Sequence, residues 1–403
     1  TENTNVDLNV GANTFKVNVT AEDTNVTNKY TVVVNRAAAS SDAYLTDLTI
    51  DGTTVQGFDG ENVYSYSVTV PSNVSSINIG AVPNGTSVIA NTSDIGEQTL
   101  TTGVNDFEIV VIAQNGQTRV PYELHVTKQN NDNNLNSLSV TSNPQGTLTP
   151  STFSSGTTSY TYTVGPDVTE VAISGTLPTG ATATGFGTYN PNNTTAVNVV
   201  VYAEDPNVTP KTYTINLVRN KSTDTTLDEL SVAGYTLSPN YSDNTNSYNV
   251  TVPSTESSVS VTATPHDSRT TAVVGGKTTG LETGNNTVTV TVTPESGANN
   301  ARVITINVKK QSSDATLSDL TFDNVTLEPN FDPSITSYTA TVPYKTDETE
   351  VHATKADENA SDPIITGDTT LDVGENTFTI TVTPEDPNVD PVTYTVAITR
   401  EDV

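Results

Sequence analysis

The chain has 403 residues, with 46 acidic and 16 basic side chains, a formal charge of -30, and no cysteine, methionine or tryptophan. Such a polyanion is not drawn electrostatically to nucleic acid or to an anionic membrane; it suits solubility, divalent cations or a basic partner. Disulfides and thiolate metal sites are excluded, and no apolar run approaches the length needed to span a membrane.

Residues Leu8–Arg36 (LNVGANTFKVNVTAEDTNVTNKYTVVVNR) match Leu371–Arg400 (LDVGENTFTITVTPEDPNVDPVTYTVAITR) closely. The opening segment, 1–36, is therefore read as the second half of a repeat whose first half is absent, and with no Met at position 1 the chain is expected to be processed or a fragment. The rest is periodic. Leu48, Leu138, Leu230 and Leu320 are separated by 90, 92 and 90 residues, and Tyr66, Tyr160, Tyr248 and Tyr338 by 94, 88 and 90. An internal period defines the folding unit. Counting the half repeat 1–36 as the first, it divides the chain into a second repeat 42–128, a third 133–219, a fourth 224–310 and a last 314–400, each of these four long enough for one modest core.

Each repeat opens on a Leu-x-x-Leu step, as at Leu317 and Leu320, and reaches a Tyr-x-x-x-Val strand that a proline follows, directly as at Tyr338–Pro343 or after Gly165 at Tyr160–Pro166. Phe378, Ile380 and Val382 alternate with threonines, as do Tyr394, Val396 and Ile398 with Thr395, Ala397 and Thr399. This period of two, built from good strand formers, predicts strands with one apolar face. Gly11, Gly103, Gly284 and Gly374 mark one recurring turn, which the third repeat makes with Asn190–Asn193 instead. Copies end on a basic residue (Arg36, Lys128, Arg219, Lys310, Arg400), and the connections that follow are short enough to predict nearly rigid stacking. Six or seven short strands per repeat, each with a face to bury, predict an all-β chain of tandem immunoglobulin-like or cadherin-like β-sandwich domains made from two antiparallel sheets. A solenoid would repeat at shorter spacing.

The residue order of 314–400, with Leu317, Leu320, Tyr338–Pro343, Gly374, Phe378–Val382 and Tyr394–Arg400, resembles the bacterial cadherin-like β-sandwich repeat. Repeat 224–310 matches well, and 42–128 and 133–219 keep the anchor residues. The resemblance implies tandem modules in secreted or surface-attached proteins, with an architectural or adhesive role and no catalytic residues to carry over. The expected location is accordingly the exterior or surface of a prokaryotic cell.

The clearest polar constellation lies between the last two strands. It reads Glu204-Asp205-Pro-Asn207 in the third repeat and Glu385-Asp386-Pro-Asn388-Val-Asp390 in the last. Clustered carboxylate and amide oxygens are ligands for Ca²⁺, but prolines and acidic residues also build ordinary hairpin turns. These seven residues are the candidate metal ligands. No cofactor is required, and Ca²⁺ is the one candidate ion. Acid is densest in the last repeat, where Ser312–Val403 holds 19 acidic and 3 basic residues. His125, His266 and His352 occupy non-equivalent repeat positions, and no nucleophile triad, HExxH, phosphate loop or dinucleotide fingerprint occurs. The chain is read as a non-enzyme.

Two functions follow. The main expectation is a structural subunit or stalk of an extracellular, filament-forming assembly, with self-association or attachment to a surface protein or glycan. The apolar rows of the half repeat (Phe15, Val17 and Val19 with Tyr30, Val32 and Val34) would be completed there by a neighbour's strand. The alternative is an adhesin that recognises a glycan or protein. It predicts an exposed aromatic cluster in the divergent third repeat, at Phe186, Tyr189 and Tyr202.

Overall fold

The computed structural model describes residues 5–403, which are β throughout apart from one short turn of 3₁₀ helix at Ala298–Asn300. The chain divides into two compact units, Thr1–Asn220 and Lys221–Val403. The first unit opens with an isolated hairpin, β1 (Gly11–Thr20) paired antiparallel to β2 (Thr27–Arg36), with Phe15 opposite Val32 and Val17 opposite Tyr30. Two sandwiches follow it, and the second unit contains two more.

In the last sandwich one sheet pairs Leu317–Phe322 with Val351–Lys355. The facing sheet runs in the order Ser337–Val342, Val392–Arg400, Gly374–Val382, Ile364–Thr366. Residues 227–310 repeat this topology. Residues 45–128 extend the first sheet to four strands, and residues 135–219 divide three strands against five. Each sandwich closes on its own core, in the last repeat Leu317, Leu320, Phe322, Tyr338, Phe378, Ile380, Tyr394 and Val396 among others.

Two features differ from a pair of purely antiparallel sheets. The Tyr-bearing strand runs parallel to the last strand in all four sandwiches, with Tyr338 opposite Val396 and Tyr66 opposite Leu124. The chain starts in one sheet and crosses to the other between Phe322 and Ser337, so it enters the second sheet in the direction of its C-terminal strand. The first strand is also irregular. In a regular strand residues three apart face opposite sides, yet Leu317 and Leu320 are both buried. A register shift between Leu317 and Asp319, repeated at Leu45/Asp47 and Leu227/Glu229, inserts the extra residue that turns both leucines inward.

The core tyrosines carry a polar load at the sandwich edge. Tyr394 Oη accepts from the Leu317 amide at 3.1 Å and donates to the Pro333 carbonyl at 2.9 Å. Tyr213 does the same between Leu135 and Ser155, and Tyr122 between Leu45 and Gly60. In the fourth repeat the equivalent position is Ile304, and Tyr241 supplies the hydroxyl to the Leu227 amide at 3.1 Å from the other side. Tyr66, Tyr160, Tyr248 and Tyr338 each bond both ways to the loop before their own strand, as in Asp332 N to Tyr338 Oη at 3.0 Å and Tyr338 Oη to Asp332 O at 2.6 Å. Tyr30, which aligns with the core residue Tyr394, is exposed, because its hairpin has no facing sheet among the described residues.

The turn before the penultimate strand is built the same way in four copies. Gly11, Gly103, Gly284 and Gly374 adopt φ of +95°, +95°, +89° and +99°, a region that side-chain-bearing residues avoid. Two residues on, an asparagine side chain closes the turn. Asn376 Oδ1 accepts from the Asp372 amide at 2.8 Å, and its Nδ2 donates to the carbonyls of Asp372, Gly374 and Ile398. The terminal basic residue finishes it: Arg400 donates to Leu371 O at 2.7 Å, Lys310 to Leu281 O at 3.2 Å and Arg36 to Leu8 O at 2.6 Å.

Replacing Tyr394 by Phe leaves the buried Leu317 amide without its acceptor and is expected to destabilise the last sandwich by about 1–3 kcal/mol. Amide exchange along Val392–Arg400 measures this. Tyr30→Phe, on the open hairpin, serves as the control and leaves exchange unchanged.

Candidate functional site: the acidic loops at the repeat junctions

The Glu-Asp-Pro-Asn loops sit where one repeat meets the one before it. In the second unit the Asp386 carboxylate is buried beside the end of the strand Ser247–Val252 of the preceding repeat. Its Oδ2 accepts from the Ser254 amide at 2.7 Å and from Ser254 Oγ at 2.6 Å. Its Oδ1 accepts from the Asn388 amide and from Asn388 Nδ2, at 2.9 and 3.0 Å. The first unit contains the same arrangement. Asp205 Oδ2 accepts from Ser72 N at 2.8 Å and Ser72 Oγ at 2.6 Å, and Oδ1 accepts twice from Asn207 at 2.9 Å.

The neighbouring glutamates hold the connecting segments. Glu385 Oε2 accepts from the Ser312 amide at 3.0 Å, its carbonyl accepts from Gln311 Nε2 at 3.0 Å, and Lys309 Nζ lies 2.5 Å from Oε1. The Asp386 amide returns a bond to Ser312 O at 3.1 Å. Glu204 binds Asn130 and Gln129 in the same manner. This half of the joint survives where the aspartate does not. In the second repeat Gln114 Oε1 accepts from Ser40 N at 3.0 Å, and in the fourth Glu295 Oε2 accepts from Ser222 N at 3.1 Å.

The hydrogen bonds decide the charge state. The Ser254 hydroxyl, then the Asn388 and Ser254 amides, hold the Asp386 carboxyl down at about 2; Ser72 and Asn207 hold Asp205 at about 2 likewise. Both carboxylates are ionised throughout the physiological range. A carboxylate offers about four lone-pair directions, and in each aspartate four protein donors take them. A cation at either would have to displace donors already in place. Of the seven candidate ligands, Glu204, Asp205 and Asn207, with Glu385, Asp386 and Asn388, thus converge on junctions, while Asp390 is exposed one turn away. No sequence pattern within the loop reveals the serine that each aspartate meets. The signal that was available is the Val-Pro-Ser step at Val70–Ser72 and Val252–Ser254, which accompanies the aspartate one repeat later.

Among the described residues, the group whose ligand atoms converge like a cation site is elsewhere, at Asp323, Glu350 and His352, all within 4.8 Å of one another and all exposed. His352 Nε2 lies 3.2 Å from Asp323 Oδ1. Asp323, Glu348 and Glu350 line an open cleft with Asn324, Thr349 and Thr369. Two carboxylates and an imidazole are ligands for a divalent ion. The other two histidines are also paired with aspartates, His125 with Asp106 at 2.6 Å and His266 with Asp228 at 2.7 Å; these bonds raise both imidazole pKa values. The aromatic residues of the third repeat do not gather. Phe186 and Tyr189 pack against its core, Tyr189 Oη donates to Gly185 O at 2.9 Å, and Tyr202 alone is exposed.

The chain belongs to the cadherin-like beta sandwich domain family, whose model matches residues 1–37, 45–129, 227–314 and 317–401. The third repeat falls outside the match, although it folds as a two-sheet sandwich. Among solved structures, the chain is similar to the protocadherin GammaB4 extracellular domain at 10% identity, covering 98% of this chain and 78% of that one with a TM-score of 0.25. It is similar to protocadherin gamma B2 extracellular cadherin domains 3–6 at 12%, covering 85% and 99% with a TM-score of 0.25. Mouse cadherin-23 EC22–24 follows at 11%, covering 66% and 98% with a TM-score of 0.21. Superpositions this loose carry no functional argument. No curated protein matches the chain. The expectations of a bacterial family and of a prokaryotic cell surface are corrected by these findings: the family's description names no bacterial lineage, and the similar solved chains are cadherin and protocadherin extracellular segments, one of them from mouse. Alternating apolar rows report a sandwich, and the physics of a sandwich core is the same in any lineage.

Because the folded-state pKa of Asp386 lies below the ordinary carboxylate value, its contribution to the junction is complete above about pH 4 and is lost as the pH falls toward 2. Ser254→Ala removes the leading cause of that depression. The Asp386 carboxyl is expected to titrate closer to its ordinary value in a carbon-detected NMR titration, and cleavage in Gln311–Ser313 to accelerate several-fold under limited proteolysis.

Proposed function

We propose that the chain is a non-catalytic extracellular interaction array. Cadherin-like sandwiches, joined by hydrogen-bonded junctions within each unit, carry an adhesive surface toward a protein or glycan partner. The observation that carries this reading is where the clustered carboxylates are used. Glu204, Asp205, Glu385 and Asp386 fasten one repeat to the next through named donors, and family membership supplies a module type built for display. A structural stalk or filament subunit is the second reading, favoured by the recurrence of one junction in both units.

Beads coated with the chain separate the two. Aggregation of the beads, or their capture by an immobilised protein or glycan, is expected for the adhesive array. Ordered filaments in electron micrographs without bead capture would favour the stalk.

For the ion, the reading is that the junctions work without metal. The junction loops are expected to show the same amide exchange in Ca²⁺ and in chelator. A Ca²⁺-dependent slowing at Ser254 that disappears in Asp386→Asn would assign the ion to the loop. An effect that persists in Asp386→Asn and falls with Glu350→Gln would belong to the exposed Asp323–Glu350–His352 group.

A further inference from the structure

The last repeat carries a ligand set that the other repeats lack. Asp323 follows the strand Leu317–Phe322, Glu350 precedes its partner Val351–Lys355, and His352 lies within that partner. Two residues apart, Glu350 and His352 point to one face of the sheet. The backbone beneath them is fixed: the Asp323 amide donates to Glu350 O at 3.0 Å, Thr349 Oγ1 donates to Asp323 O at 3.0 Å, and Thr321 pairs with His352. By register the same three positions are Asp51, Asn78 and Gly80 in the second repeat, Asn143, Glu170 and Ala172 in the third, and Ala233, Ser260 and Thr262 in the fourth. The second repeat keeps the aspartate but occupies it, since Asp51 Oδ1 accepts from the Asn78 amide at 2.8 Å. Asp323 Oδ1 turns to His352 Nε2 at 3.2 Å instead, and the Glu350 carboxylate accepts from no protein donor among the described residues. Unlike Asp205 and Asp386, these carboxylates keep lone pairs open.

Convergence of unlike ligands, not density of acid, singles this group out. His125 also meets two carboxylates, but Asp106 lies at Nδ1 and Glu123 at Nε2, at 2.6 and 3.7 Å, so the two cannot share one ion with the ring. His266 pairs with Asp228 at 2.7 Å. At His352 a ring nitrogen and one oxygen from each of Asp323 and Glu350 stand within 4.8 Å of one another. Ligand atoms held about 2.0–2.2 Å from a small divalent ion stand roughly 3–3.5 Å apart at tetrahedral to octahedral angles. The Asp323–His352 spacing fits that geometry already, and rotation of the exposed Glu350 side chain completes the set.

We propose that Asp323, Glu350 and His352 form a surface site for a small divalent transition-metal ion of the Zn²⁺ type, and not for Ca²⁺. Calcium takes six to eight oxygen ligands, whereas an imidazole beside carboxylates selects ions that accept nitrogen. Three protein ligands leave a further coordination position open to solvent. Glu348 lines the same cleft and adds to its negative potential without joining the ligand group.

The chain has three histidines, so three imidazole signals report binding when the full chain is titrated with zinc chloride by NMR. The His352 signal is expected to move and saturate at Zn²⁺ concentrations that leave His125 and His266 in place, and Ca²⁺ at the same concentrations should leave it unmoved. Asp323→Asn and Glu350→Gln should each weaken the binding by about tenfold or more. Glu348→Gln, which removes one charge from the cleft but no ligand, should cost less than either. Unchanged amide exchange along Leu317–Phe322 checks that each variant keeps the strand. An unmoved His352, or three imidazoles that respond together, overturns the proposal. Equal losses in all three variants also overturn it and reduce the site to diffuse attraction. Displacement of Zn²⁺ by an equal concentration of Ca²⁺ overturns the assignment of the ion.

Discussion

A backbone amide at the start of each sandwich has to find an acceptor away from water, and a tyrosine hydroxyl provides it. The bulge that turns Leu317 and Leu320 inward together also places the Leu317 amide inside, where an unpaired donor costs more than a typical hydrogen bond contributes. Tyr394 satisfies it from the terminal strand, which ties the first strand of the repeat to its last. The fourth repeat shows that the bond matters more than the residue that makes it. There Ile304 has lost the hydroxyl and Tyr241 has gained one where the last repeat has Phe331, and the Leu227 amide is bonded all the same. The Tyr394 bond closes first half against second half, whereas the Leu227–Tyr241 bond of the fourth repeat stays within the first half.

The acidic loops extend the same logic from the inside of a repeat to the space between repeats. A chain with a formal charge of -30 has carboxylates to spare, and most remain in water, where each is worth little to stability. The two aspartates that are buried are surrounded by donors from serine and asparagine and stay ionised through hydrogen bonding rather than through a basic partner. Charge is concentrated in the last repeat, yet the junction geometry there is the same as in the weakly charged third. Donor placement, not local charge density, therefore distinguishes a junction carboxylate from a solvated one.

How much of this was legible in the sequence follows from the range of each interaction. The strand alternation, the positive-φ glycines, the buried tyrosine rows and the sandwich architecture are local or periodic, and residues such as Phe378–Val382 announce them directly. The bulge was half visible, since Leu-x-x-Leu contradicts a period of two, but only the pairing of Leu317 with Lys355 shows how the strand resolves the conflict. The parallel pairing of Tyr338 with Val396 was hidden, because alternation looks the same in either direction. The junctions were the least legible. Asp386 meets a serine 132 residues earlier, and a loop rich in Glu, Asp and Asn presents the same composition whether its oxygens face calcium or backbone amides. The terminal basic residues read in sequence only as punctuation, because the Leu371, Leu281 and Leu8 carbonyls they bond lie 28 or 29 residues earlier.

The opening hairpin separates these two levels of organisation. Its turn, asparagine network and terminal arginine bond match those of the finished repeats, so local closure does not depend on the facing sheet. What differs is the burial of Val17, Tyr30 and Val32, and with it the hydrophobic term that drives sandwich closure. Local hydrogen bonding thus specifies the shape and register of the hairpin, while burial in the four complete sandwiches adds the apolar contacts.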